Sequence, residues 1–339
     1  MATIYDVCKE AGVSMATVSR VINDSQSVRH RTRQKVLDAM NELGYQPSQI
    51  AQSLATRRTN SIGLMVSELS GPFYGPMMAG IEHELKQSKK QLFITAGKSD
   101  AAQEQAGIES LLGRNCDALI LHVESVSDDY LIQLSKGRTP FVLLNRYIEQ
   151  IADNCIVLDN FHGGYIGTRY LLEQGHREIT YISGPLWKTD VSQRLGGHKK
   201  ALKEFGIEFD ETSLFEGDFR EESGMTGLQH FIKSGIPMTA VVCANDEIAA
   251  GAMAMSRKAN IKVPEQLSIL GFDDIILAYY LHPKLTTIKY PIEEMARMAA
   301  HWVLQNVYQQ EAEVNNTFVP TLIKRDSCSE CSTQGDKAP

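Results

Sequence analysis

Two groups of residues in the 339-residue chain have types and spacings suited to chemistry. The first is Met15-Ala16-Thr17-Val18-Ser19-Arg20, a run of small or hydrogen-bonding side chains around one guanidinium. Arg20 suits a bidentate pair with guanine, and Met15 and Ala16 suit apolar contact with a thymine methyl. Arg29, Arg31, Arg33 and Lys35 follow it closely. Cations are unfavourable near a helix N-terminus, so this cluster calls for an anionic partner such as phosphate. The second group is scattered: Phe73-Tyr74, Asn145-Arg146, Lys188, Asp190, Arg194, Phe219, Asn245-Asp246 and Asp273, nearly all following short apolar runs. Carboxylates and amides bind adjacent hydroxyls, a guanidinium donates a rigid fork, and aromatic faces cover the apolar side of a sugar ring. Taken singly, an aspartate after a strand is more often a helix cap, and Phe73 and Phe219 suit a core. Six strand ends all carrying polar or aromatic groups weigh against coincidence.

No catalytic arrangement stands beside these groups. The chain has no G-x-S-x-G, no H-E-x-x-H and no P-loop. Gly163-Gly164-Tyr165-Ile166-Gly167 lacks the G-x-G-x-x-G order and reads as helix-start packing. Nothing places a nucleophile or water between the carboxylates of Asp246-Glu247 or Asp273-Asp274. The nine histidines lack ligand spacing, and Cys328-x-x-Cys331 alone cannot close a four-ligand zinc site. No enzyme activity, metal or cofactor is expected, and Cys328-x-x-Cys331 reads as part of a polar tail.

The elements that must position the first group are local. Thr3 suits an N-cap and Asp6 the third helical position, with Ile4, Val7, Cys8 and Ala11 at helical spacing and Gly12 as a stop. Ser14 caps a second helix from Met15 to about Asn23, with Val18, Val21 and Ile22 inward. A third helix runs from about Arg31 to Leu43, with Val36, Leu37, Met40 and Leu43 inside and Gly44 after it. Two short helices joined by a glycine-containing turn predict a helix-turn-helix. Residues 1–60 carry eight Lys/Arg against five Asp/Glu, +3, so the remainder carries 26 against 36, or −10, of the chain's −7. A basic head on an acidic body suits a chain that meets nucleic acid with one end.

The stretch from Ala2 to Asn23 resembles the signature of the LacI/GalR family of bacterial transcription regulators, and the resemblance continues over residues 2–326. It runs to the galactose and purine repressor branch, and within that to regulators of β-glucoside operons of the asc type. The implied fold is α plus α/β: an N-terminal helix-turn-helix headpiece, then a periplasmic-binding-protein-like core of two Rossmann-like lobes. The resemblance implies DNA contacts from Thr3, Tyr5, Ser14, Met15, Ala16, Thr17, Ser19, Arg20, Asn23, Arg29, Arg31 and Arg33. Residues 46–60 resemble a hinge helix that folds on operator DNA in the dimer, with Leu54 wedged into the minor groove to unstack a base step. Ala55 stands where relatives often carry a polar group, so no minor-groove hydrogen bond is expected there.

From Ile62 the pattern alternates apolar strands with amphipathic helices, which predicts parallel sheets. Eight strands are expected, near 61–66, 91–96, 117–121, 140–144, 156–158, 179–182, 240–243 and 267–270. The expected organisation is 1–45 headpiece, 46–60 hinge, 61–159 plus 290–319 first lobe, 160–289 plus 320–328 second lobe, and 329–339 a disordered tail. Ligands of open α/β sheets bind outside the strands' carboxyl ends, and the scattered residues match family ligand positions there. Lys188 and Asp190 depart from the purine-binding pattern and favour a sugar, whereas Tyr74 and Phe219 keep a purine open. The apolar run Ile275–Leu281 suits buried packing as well as a subunit interface; family position implies the interface, together with the helix of Met78, Ile81 and Leu85. No leucine heptads follow Arg325, so nothing supports a tetramer coil, and the resemblance implies a homodimer.

The expected partners are therefore double-stranded operator DNA, a small sugar and a second copy of the chain, with no membrane. No apolar run approaches the roughly 18 residues of a membrane span, and Met1–Asp6 lacks a signal-peptide pattern, so a cytoplasmic location with reduced cysteines is expected. Two other classes remain: a periplasmic-type sugar-binding protein, and a sugar-metabolising enzyme with a helical appendage.

Overall fold

The structure, a computed structural model, describes residues 2–22, 27–46 and 58–331. The chain divides into two compact units, Met1–Asn60 and Ser61–Pro339.

The first unit is built from local caps and one small core. Helix α1 spans Ile4–Ala11. Thr3 Oγ1 accepts from the Asp6 amide at 3.4 Å, and Asp6 Oδ2 accepts from the Thr3 amide at 2.8 Å. This reciprocal box satisfies two donors that a helix start otherwise leaves open. Gly12 ends the helix at φ 65°, the left-handed region where a side chain is strained. Helix α2 spans Met15–Ile22, and Ser14 Oγ accepts from the Thr17 amide at 3.3 Å. Helix α3 spans His30–Glu42. Val7, Ala11, Val18, Val21, Val36 and Ala39 form the buried centre. Leu37, expected inside, is 39% exposed, and Ala39 takes the inward place. The stripe through Val36, Ala39, Met40 and Leu43 has the i, i+3, i+4, i+7 spacing, and Leu37 lies beside it.

The second unit contains two six-stranded sheets. The first is assembled from β1 (Ser61–Val66), α4 (Tyr74–Gln87), β2 (Gln91–Ala96), α5 (Ala101–Gly113), β3 (Ala118–Leu121), α6 (Asp128–Ser135), β4 (Phe141–Leu144) and β5 (Cys155–Leu158). The second follows with α7 (Asn160–Glu173), β6 (Ile179–Ser183), α8 (Thr189–Glu204), β7 (Leu214–Glu216), α9 (Glu221–Lys233), β8 (Ala240–Cys243), α10 (Asp246–Lys258), β9 (Ser268–Asp273), α11 (Ile276–Tyr280) and β10 (Thr286–Lys289). Helix α12 (Ile292–Tyr308) returns to pack on α4, and β11 (Thr317–Phe318) pairs with β5 in the first sheet. Finally β12 (Thr321–Ile323) pairs antiparallel with β10 in the second. The chain thus passes between lobes at 159–160, 290–291 and 319–320.

The sheet orders are β11-β5-β4-β3-β1-β2 and β12-β10-β9-β8-β6-β7, parallel except for β12. Both have the doubly wound 2-1-3-4-5 arrangement, whose direction of winding reverses between β1 and β3 and between β6 and β8. Strands β1, β3, β4, β6 and β8 are buried throughout, as helices on both faces require. Where helices approach most closely, glycine is essential. A Cβ on Gly251 of α10 would collide with the Glu221 carbonyl of α9, and one on Gly197 of α8 with the Phe161 carbonyl of α7.

Three expectations change. The four short strands β7, β10, β11 and β12 add to the eight read from sequence. Ile81 and Leu85 of α4 are fully buried within their own lobe and Met78 packs against the same core, so that face is not a free interface. Residues 329–331, expected as the start of a disordered tail, are tied to the second lobe: beside buried Cys328, the Ser329 amide donates to Ser268 Oγ at 3.1 Å, and the Cys331 amide to the Gln174 carbonyl at 2.8 Å. Burial pushes the Cys328 thiol up to about 12, which leaves it inert. In the segment Ile275–Leu281, by contrast, Ile276, Leu277, Tyr279 and Tyr280 are exposed, over buried Ile275 and Ala278.

Candidate functional site

In the headpiece, Thr3, Tyr5, Ser14, Met15, Ala16, Arg20, Arg29 and Arg31 are exposed, and Thr17, Ser19 and Arg33 are half-buried. Thr3 and Ser14 act as caps, so their hydroxyls serve the helices first. Helix α3 has no acidic residue in its first turn and Arg29 at its cap, leaving its positive end surrounded by cations. Asn23 and Leu54 lie outside the described residues, as do 47–57 of the expected hinge.

Between the two lobes of the body lies a cavity of about 110 Å³. It opens at the carboxyl ends of β1, β3, β6 and β8, where the winding of each sheet reverses. From the first lobe come Phe73 and Tyr74 at the start of α4, His122 directly after β3, Glu124, and Asn145 after β4. The second lobe supplies Lys188, Asp190 and Arg194 around the start of α8, Phe219 after β7, Asn245 after β8, and Asp273 at the end of β9. Tyr290, in the second crossing, completes the wall.

The aromatic side is a packed cluster. Phe73 meets Tyr74 and Tyr290 edge-on, with centroids 5.3 and 5.1 Å apart, and Tyr74 meets His122 at 5.7 Å. Gly184 makes room for the Phe219 ring, which a Cβ there would strike. Asn145, Phe219 and Asp273 have φ of 57°, 72° and 107°, conformations side chains rarely adopt. Such backbone outliers persist where surrounding structure enforces them, and they gather at functional sites.

The polar side is organised by Arg194, which is 3% exposed. Its Nε donates to Asn160 Oδ1 at 2.9 Å and its Nη1 to the Ala244 carbonyl at 2.7 Å. Asp273 and Asp190 stand 3.6 and 3.7 Å away. Asn160 passes the connection on to Asn145 Oδ1 at 3.0 Å, joining the two lobes' contributions. Burial drives the Asp273 carboxyl up to about 7, although Arg194 pulls it down. Across the cleft, Lys188 Nζ meets Glu124 at 2.7 Å and Arg220 grips both oxygens of Glu68 at 2.6 and 2.7 Å. Burial would raise the Glu124 carboxyl, but His122, Lys188 and a hydrogen bond from Ser99 outweigh it. The loop carrying Glu124 is fixed by buried Glu104, whose carboxylate accepts from the amides of Glu124, Ser125 and Val126 at 2.8–2.9 Å.

His122 Nδ1, Asp273 Oδ1 and the Tyr290 hydroxyl are buried without a hydrogen-bond partner. Buried polar atoms normally find partners, so three on one cavity wall mark a place where another molecule's polar groups fit. Burial lowers the His122 imidazole's affinity for a proton, which leaves one ring nitrogen donating and the other accepting.

Two residues expected in the ligand set turn elsewhere. Arg146 donates to Asp128 Oδ1 at 2.6 Å and the Val126 carbonyl at 2.7 Å, at the border of a neighbouring recess. Asp246 is fully buried and accepts from the Ile275 amide at 2.9 Å and from Thr287 Oγ1, bracing the Asp273 loop from behind. Asn245 reaches the cavity, yet its oxygen caps α10 through the Ile248 amide and its nitrogen holds the Phe219 carbonyl. Sequence reasoning missed His122, Glu124 and Tyr290. His122 followed a strand already recognised, so the strand-end rule alone would have found it.

Among the described residues no helix is long and apolar enough to cross a membrane, and no cluster of His, Cys, Asp or Glu is arranged to hold a metal.

Two family models match the chain. Residues 3–48 match bacterial regulatory proteins of the lacI family, and 59–327 match periplasmic binding proteins and the sugar binding domain of the LacI family. The transcriptional regulator GalR of Escherichia coli K12 is 38% identical over 330 residues, 97% of this chain and 96% of GalR. A lac repressor dimer bound to operator and the anti-inducer ONPF superposes with a TM-score of 0.86 at 29% identity, over 97% of this chain and 99% of that one. A complex of the regulator CelR with cellobiose gives 0.70 at 30%, over 96% and 100%. The Escherichia coli repressor ascG gives 0.72 at 27%, over 79% and 99%. These relatives are regulators, not enzymes. The chain belongs to the lacI family of bacterial regulatory proteins: it is a DNA-binding transcriptional regulator with a domain for a small-molecule effector.

Proposed function

We propose that the protein represses a sugar-utilisation operon in the cytoplasm, as a homodimer whose operator affinity is set by a small sugar held between the two lobes. The observation that carries this reading is the set of three buried polar atoms on the cavity wall that lack a hydrogen-bond partner. Sugar hydroxyls donate and accept at once, so they satisfy an imidazole nitrogen, a carboxylate oxygen and a phenol together. Phe73, Tyr74 and Phe219 cover the apolar ring face. Asp273, Arg194, Asp190, Lys188 and Asn145 complete the effector set.

In the headpiece, α2 presents Met15, Ala16, Thr17, Ser19 and Arg20 to base edges in the major groove, while Arg29, Arg31 and Arg33 take phosphates. Two such helices read a pseudo-palindromic operator, and Leu54 of each subunit opens the central step from the minor groove. The sugar favours one lobe orientation, and an equilibrium shared by both sites couples the two affinities. The exposed face of Ile276, Leu277, Tyr279 and Tyr280 belongs to the dimer contact.

The sugar is read more narrowly as a β-glucoside. CelR, the relative solved with cellobiose, offers the precedent for a β-linked glucose ligand. The target is accordingly proposed as a β-glucoside operon. A purine effector is the second reading, favoured by the Tyr74 and Phe219 rings; a sugar-binding protein without DNA function is the third.

The test uses the full chain and its own upstream DNA. Fluorescence anisotropy should show preference for one pseudo-palindromic duplex, and a sugar that raises the melting temperature should change that affinity. The factor should equal the one by which the duplex changes sugar affinity. A chain that treats all duplexes alike, or sugar occupancy without effect on DNA, overturns the reading; a response to purines alone transfers it to the second.

A further inference from the structure

Every cation lining the cleft already faces a carboxylate. Lys188 lies on Glu124, Arg220 on Glu68, and Arg194 between Asp190 and Asp273. The Lys188–Glu124 pair is largely withdrawn from water, with side chains 10% and 17% exposed. The same wall carries two more acids, Asp218 and Glu247, so six carboxylates stand against three cations and the lining has a formal charge of −3. Burial raises both Asp273 and Glu247, so an added charge here loses hydration. The neutral side of the cavity, by contrast, holds the unpartnered His122 nitrogen and Tyr290 hydroxyl.

We infer that the effector is an uncharged sugar, that its phosphorylated form is rejected, and that Glu124 sets this choice by occupying Lys188. The inference rests on the sugar reading above and narrows it. Lys188 and Glu124 come from opposite lobes, one at the start of α8 and the other after β3. A phosphate seeking Lys188 must take it from Glu124, leaving a carboxylate unpaired in a poorly solvated place. It must also enter a site of its own sign, where low dielectric strengthens repulsion. A hydroxyl meets neither obstacle. Arg194 is likewise committed, with Nε and Nη1 bound to Asn160 and the Ala244 carbonyl and Nη2 facing Asp190 at 3.7 Å.

Isothermal titration of the full chain with D-galactose, D-glucose and cellobiose, each beside its 6-phosphate or 6′-phosphate, tests this. Of any pair that binds, the neutral member should be tighter by at least about tenfold. Glu124→Gln should narrow that gap by about tenfold, chiefly through a gain by the phosphate. On the wild type, 6-amino-6-deoxy-D-glucose separates charge from bulk without any variant, because an amine keeps affinity where negative charge is what is excluded. A phosphate that binds as well as its parent overturns the inference and leaves the sugar reading standing. Loss of the amine, or an unchanged gap in Glu124→Gln, removes Glu124 from the role. If no member of any pair binds, the sugar reading falls, and the inference with it.

Discussion

In the headpiece, Met15, Ala16 and Arg20 stand exposed on a helix whose inner side is Val18 and Val21. In the body, His122, Asp273 and Tyr290 are sealed into a wall shared by two lobes, each with a polar atom that lacks a hydrogen-bond partner. The headpiece can lose a functional side chain without disturbing its core, since the groups proposed to meet DNA contribute little to folding. The cleft has no such separation, because the charges that face the effector also pair with one another and hold the lobes together.

Several substitutions would break or sharpen this contrast. The largest effect is expected from Asp273→Ala. Loss of a charged hydrogen-bonding group should weaken sugar binding by about 2–3 kcal/mol, roughly 30- to 150-fold in Kd by titration calorimetry, with operator affinity of the sugar-free protein retained. Unchanged sugar affinity would dissolve the proposed site. Next, Arg20→Ala should remove about 1–3 kcal/mol from specific duplex binding and little from random duplex. Its melting temperature should stay near that of wild type; equal losses on both duplexes would make Arg20 a phosphate contact. Arg31→Ala should lower affinity on every duplex and flatten the salt dependence by about 0.9 in log–log slope, read from anisotropy at several salt concentrations.

The smallest effect concerns pH. Asp273 titrates at about 7 in the folded body, above the ordinary carboxylate value of 3.8. The folded state therefore holds the extra proton between those values. The stability this group contributes is full in acid and is lost as pH rises through that window. The melting-temperature advantage of wild type over Asp273→Asn should thus shrink steadily between pH 5 and 8. A constant difference would show that Asp273 titrates normally.

Much of the headpiece was legible because its signals are local: Thr3 with Asp6, Gly12, and Ser14 before Met15 each announce a helix end within four residues. The long strands were legible for a similar reason, since burial on both faces leaves unbroken apolar runs such as Leu119–Leu121. Strands β11 and β12 have two and three residues, and their pairing is decided by partners about 160 and 35 residues away, β5 and β10. No local pattern reports that. The same distance problem explains the cleft. Asp246 follows a strand as a ligand residue would, but the first turn of α10 points it at Ile275 and Thr287. Tyr290 was missed because the strand before it had not been recognised, and Leu37 was misplaced by about one-quarter turn of helix.

Because β11 and α12 reach the first lobe only after the second lobe's strands β6–β10 have been laid down, neither lobe is a contiguous stretch of sequence. During synthesis the first sheet waits, its β5 edge open, until nearly the whole polypeptide has left the ribosome. A premature stop after Lys289 would strip α12 and β11 from one lobe and β12 from the other, so the loss falls on both together. Conversely, a single cut at any one crossing leaves two covalent threads still tying the pair.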